Sequence, residues 1–302
     1  MALVFALSFM HQPVTLGLVY ADPAQRHAHR RLYTWTPFVA AAAILIGLNV
    51  SLVLVALMAG LWNAEHTLMQ RYGVLRIYGR KSGDSHGRIE KAMLITWLVT
   101  ALLFLAAFID LRRMVVRLGV DQTNYDGATM LSRIHGVAMG LFWLGVAASV
   151  TLAVVWVRAE RRASRNPARR AKWIYAAATL GLLVAVMIDP LAGIGGYVGA
   201  HAIEYFAIVH SSLRRRAGGH ARPPIVVATR TRVRRTALYA TYFALVAVFI
   251  SEASAAWNGE LYKFAVLFFG AMHILYDGFV WKLRTPAVAA SLGINQATPA
   301  NV

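Results

Sequence analysis

Residues 60–80 read GLWNAEHTLMQRYGVLRIYGR, and whether they cross a membrane decides the topology of the whole chain. The stretch has a helical pattern but carries Glu65, His66, Gln70 and Arg71, so hydropathy alone would leave it out. Around it, apolar runs long enough to cross about 30 Å of hydrocarbon fall at 2–20, 37–58, 92–110, 134–157, 193–212, 237–257 and 262–282. A shorter run at 173–188 ends at Asp189-Pro190. Counting both 60–80 and 173–188 as crossings gathers 25 of the 31 Lys and Arg on one face. These lie in segments 21–36, 76–91, 158–172 and 213–236 and just after the last span. Dropping 60–80 scatters the basic loops over both faces, against the positive-inside rule. The expected fold is therefore an all-α, polytopic membrane bundle of about nine transmembrane helices, N-terminus outside and C-terminus inside. Residues 1–284 are expected to form one transmembrane domain, and 285–302 a flexible tail.

Composition supports this reading. The 302 residues are 58% apolar, with a mean hydropathy of +0.53 and a formal charge of +18. A soluble domain is nearer 45–50% apolar. A basic nucleic-acid binder would explain the charge but not the long apolar runs, so no nucleic-acid partner is expected. The bilayer is the first partner, and a bacterial cytoplasmic membrane the expected location. Residues 2–20 lack the basic start of a secretory signal and read as a membrane helix. With no cysteine, thiolate metal sites, Cys-held clusters and covalent c-type haem are excluded.

Ionisable groups inside spans are costly, so each is a functional candidate. Histidines dominate the set: His11 in the first span, His66 in the third, His201 in the seventh and His273 in the ninth. All four helices are expected to run from outside to inside. At 1.5 Å per residue the four imidazoles lie roughly 9–16 Å below the outer ends, close enough to share one layer. His201 and Glu204 are three residues apart, and His273 and Asp277 four apart, so each pair shares a helix face. Glu65 adjoins His66 but points about 100° away, so it is a ligand only where the helix is irregular. The candidate metal set is thus His11, Glu65, His66, His201, Glu204, His273 and Asp277. Tyr205 and Tyr276 share these faces and are candidate hydrogen-bond donors to bound oxygen species or to the carboxylates. His210 follows His201 by nine residues, on the opposite face and about 13 Å along, and is set outside the site. The five lysines (Lys81, Lys91, Lys172, Lys263 and Lys282) fall in loops or at span ends, which argues against a buried Schiff base.

Imidazoles and carboxylates without thiols suit non-haem iron first, with copper and zinc still open. A centre at that depth would be reached from the lipid, so its substrate would be hydrophobic: an isoprenoid, carotenoid, sterol or acyl chain. Such a chain offers little to hydrolysis, and oxidative attack is the expected reaction. In its spans, basic loops, length and dispersed histidines, the chain resembles the bacterial Brp/Blh group of β-carotene 15,15'-dioxygenases. The resemblance implies an iron held by histidines from several membrane helices, which here would be His11, His66, His201 and His273, and oxidative cleavage of β-carotene. Two other classes stay open: a haem-binding redox or assembly protein, with two of the histidines axial, and a proton-coupled transporter using a His/Glu/Asp relay.

Overall fold

The computed structural model describes residues 2–110, 133, 135–162, 166–216, 224–255 and 259–294. Among these, all regular structure is helical. In chain order the helices are α1 (Ala2–Tyr20), α2 (Pro23–Ala28), α3 (Arg30–Val50), α4 (Leu52–Ser82), α5 (Gly87–Phe108) and α6 (His135–Arg162). They continue with α7 (Pro167–Ile188), α8 (Pro190–Arg216), α9 (Pro224–Ala228), α10 (Arg232–Ala255), α11 (Glu260–Val280) and α12 (Pro286–Ser291). Six of them, α3, α5, α6, α7, α10 and α11, are long and apolar enough to cross a membrane. Arg112, Arg113 and Arg117, expected on the outer side, lie outside the described residues.

Helix ends follow local chemistry. Ser51 adopts an extended conformation and its hydroxyl accepts from the Leu54 N–H, capping α4. The apolar run at 37–58 is therefore divided: α3 stops at Val50, and the residues up to 58 begin the next helix. The apolar run hid the break because Leu52–Met58 is as apolar as what precedes it. Asn166 caps α7 with Pro167 in its first turn. Asp189 closes α7, and its carboxylate accepts from the N–H groups of Leu191 and Ala192 at the start of α8. The chain reverses tightly there. A Cβ on Gly193 would stand 2.3 Å from the Val186 nitrogen, so only glycine fits.

The described residues form two compact units: Met1–Val50 with Gly199–Val302, and Ser51–Val198. In the first, α1 and α11 pack around Leu18, Val19, Tyr205, Val209, Met272, Tyr276 and Val280, with Tyr33 of α3. In the second, α4, α5, α6 and α7 pack around Leu68, Leu75, Met93, Leu94, Trp97 and Leu183. Thr100 meets Gly145 where α5 crosses α6, and its hydroxyl pairs with Ser149 at 3.0 Å. The segment expected as a flexible tail opens with α12, because Pro286 starts a helix whose Val288 and Ala289 are buried. Large apolar side chains such as Trp35, Phe38, Ile46, Trp143 and Leu144 are exposed along α3 and α6. In water such surface is a liability, and in a bilayer it is the solvated face.

Candidate metal centre

Three helices of the first unit each contribute a pair of polar residues four apart. These are His11 and Thr15 on α1, His201 and Tyr205 on α8, and His273 and Asp277 on α11. A spacing of four keeps each pair on one helix face, about 6 Å apart along the axis. The three imidazoles meet, and so do the three oxygen-bearing partners one turn further on. The three helices must therefore run in the same direction here.

The imidazole layer is closed. His11, His201 and His273 are each at most 1% exposed. One ring nitrogen from each lies within 4.8 Å of the others. The His11 ring stands edge-on to both neighbours, with centroids 4.8 Å from His201 and 4.6 Å from His273. His201 and His273 are 5.8 Å apart. Imidazoles sharing one tetrahedral ion, at about 2 Å from nitrogen to metal, have centroids about 5 Å apart. The donor set thus fits a single cation that takes nitrogen ligands.

The second layer is a hydrogen-bonded triangle. Thr15 Oγ1 lies 2.5 Å from the Tyr205 hydroxyl, and both hydroxyls lie 3.1 Å from Asp277 Oδ1. Thr15 Oγ1 is also 2.7 Å from His273 Nδ1. The other carboxylate oxygen of Asp277 faces His273 Nε2 at 3.8 Å. Thr15 was missed by the sequence reading, which looked for ionisable groups. The recurrence of a His followed four residues later by an oxygen-bearing side chain on three helices was the available signal.

Glu204, Tyr276 and His210 stand apart from the three imidazoles. Glu204 is half-buried and is not part of the three-imidazole group. Tyr276 is buried beside Tyr33 and meets the exposed Tyr20: its hydroxyl is 2.9 Å from that of Tyr20 and donates to the Tyr33 carbonyl at 3.3 Å. His210 is half-buried further along α8, beside Tyr239. His66 and Glu65 belong to α4 of the second unit, where His66 is buried and Glu65 exposed, as their adjacency on a helix requires.

The second unit holds a different polar cluster. Lys172, expected in a loop or at a span end, is fully buried one turn inside α7. Its ammonium donates to Asp84 at 2.7 Å and to Glu160 at 2.5 Å, and it also contacts Glu90. Arg76 bridges Asp84 at 2.8 Å and Glu90 at 2.7 Å, while Arg169 and His86 reach Glu160. Burial pushes the Asp84 carboxyl up, but hydrogen bonds from Lys172 and Arg76 outweigh it and hold the group well below the usual carboxylate range. Asp84, His86 and Glu160 are close enough to hold a metal, but the Lys172 ammonium already stands between the two carboxylates. Hydropathy could not find this cluster, because its members come from two separate basic segments, 76–90 and 160–172, where each alone looks like a loop charge.

Comparison of the chain with models of known protein families, with curated proteins and with solved structures finds no match. The functional reading accordingly rests on the site itself.

Proposed function

We propose that the protein is a membrane-embedded, metal-dependent oxidoreductase, a non-haem iron oxygenase acting on a hydrophobic substrate. The observation that carries this reading is the convergence of His11, His201 and His273 from three helices at the spacing of ligands on one ion. Placing three imidazoles in an apolar interior serves packing poorly, since apolar side chains would fill the space at no desolvation cost. The three imidazoles would hold the ion, with Asp277 next to them. Two imidazoles on opposite faces of a porphyrin would have centroids about 6 Å apart, at roughly 2 Å from metal to nitrogen. The closer packing of His11 with both neighbours favours a bare ion over haem.

Bound iron would supply oxygen activation, chemistry that amino-acid side chains lack. The chain's residues supply the rest. The imidazoles orient the ion, the surrounding apolar side chains exclude water, and the Tyr205 and Thr15 hydroxyls hold the Asp277 carboxylate. The apolar exterior favours a substrate delivered from lipid, such as an isoprenoid. The resemblance to the Brp/Blh group favours a carotenoid within that class.

We further propose nine crossings, with the N-terminus outside and the C-terminus inside. The three added to the apolar six are α1, α4 and α8. At 31 and 27 residues, α4 and α8 are about 46 and 40 Å long, ample for a bilayer. Their low hydropathy comes partly from polar groups that are buried, among them Arg71, Thr67 and His201.

Metal analysis and an optical spectrum of the detergent-purified protein test the reading. The expected result is about one iron per chain by this site's donor count, no Soret band, and oxygen uptake when a carotenoid or other isoprenoid is added. Protein without metal, or with a haem spectrum, overturns it.

A further inference from the structure

The Thr15 hydroxyl stands where the oxygen triangle meets the imidazoles. It lies 2.5 Å from the Tyr205 hydroxyl, 3.1 Å from Asp277 Oδ1 and 2.7 Å from His273 Nδ1. A hydrogen bond at Nδ1 leaves Nε2 as the ring nitrogen that can meet an ion.

We propose that Thr15 is a positioning residue of the metal centre, linking Asp277 to His273 and holding the imidazole by its Nδ1, so that His273 offers Nε2 to the ion. This rests on the metal reading above. The remaining geometry agrees with it. Asp277 Oδ2 faces Nε2 at 3.8 Å, and two ligand atoms each about 2 Å from a shared ion stand up to about 4 Å apart. Asp277 thus has one oxygen anchored to the hydroxyls and the other turned toward the nitrogen that meets the metal. Ligating histidines commonly owe tautomer and orientation to a hydrogen bond on the other ring nitrogen. Here a threonine from a different helix, α1, provides it.

Cobalt(II) titration of the full-length, detergent-solubilised protein, followed by visible ligand-field absorption, tests the proposal. Thr15→Val is expected to weaken cobalt binding by about 10–100-fold and to alter the ligand-field bands. Thr15→Ser keeps the hydroxyl and should restore affinity to within about threefold, a rescue that loss of packing alone would not give. Asp277→Asn removes the charge at constant shape and should also weaken binding. Thr15→Ala gives the same comparison should the valine variant not fold. If both Thr15→Val and Thr15→Ala bind cobalt like the wild type while His201→Ala does not, the role of Thr15 is overturned and the metal reading survives. If the wild type binds no more cobalt than His201→Ala, both fall.

Discussion

The two units bury polar groups in opposite ways. In the second, Lys172, Arg76 and Arg169 face Asp84, Glu90 and Glu160, so three cations meet three carboxylates. Each charge is matched by another, and nothing in the cluster calls for an external ion. In the first, three imidazoles meet beside a single carboxylate. Imidazole is a ligand in its neutral form, so this group is poised to take up a cation. A charge-balanced cluster reads as structure, and a ligand-rich, charge-poor one reads as a site. Both units are built from long helices, so the difference lies in a few side chains.

The sharpest way to break that contrast is to truncate one member of each cluster. His201→Ala or His273→Ala should remove most of the bound metal while leaving the thermal unfolding midpoint, measured in excess chelator, close to the wild type. Full metal retention in both variants would sink the assignment. Lys172→Met should do the reverse. It leaves three buried carboxylates short of a cation and is expected to cost about 3–5 kcal/mol, read as a lowered unfolding midpoint with metal content per folded chain unchanged. A Lys172 variant that loses metal but not stability would reverse the roles assigned to the two clusters.

The histidines were legible in the sequence because an imidazole inside an apolar run stands out, and three of them do meet. Helical spacing also separated His210 from His201 and Glu65 from His66 without a structure. Two kinds of residue were not legible. Thr15 is a small, common side chain that hydropathy tolerates anywhere in a span, and its importance comes from partners 190 and 258 residues away. Lys172 sits in a basic segment, and only the approach of Asp84, Glu90 and Glu160 makes its burial affordable in energy. The break at Ser51 was hidden for a local reason: a serine cap inside an unbroken apolar run changes hydropathy little but satisfies the amide that starts α4. Patterns along one helix can be read from sequence, whereas contacts between helices cannot.

A smaller effect separates the clusters by pH. Asp84 has its carboxyl held down by Lys172 and Arg76, so folding is favoured by the ionised form. The sign follows from linkage. This contribution is fully present above the unfolded carboxyl range, about pH 4, and is lost as pH falls further toward the folded value. Unfolding midpoints measured from pH 7 down to 3 should therefore decline at the acid end, and Asp84→Asn should start lower at pH 7 and flatten that decline. An acid limb as steep in Asp84→Asn as in the wild type would assign the acid sensitivity to other groups.

The smallest expected effect is none, and it tests the first cluster's geometry. His210 and His201 share α8 and share their chemistry, but nine residues turn the helix by about 180° and advance it by about 13 Å. Burial agrees, since His201 is fully enclosed while His210 is half-buried beside Tyr239. If metal is held by three imidazoles converging from α1, α8 and α11, His210→Ala should bind as much iron as the wild type. If metal is instead held loosely by any histidine on α8, the two variants should lose similar amounts. Equal losses from His201→Ala and His210→Ala would dissolve the distinction between a built site and a histidine-rich helix.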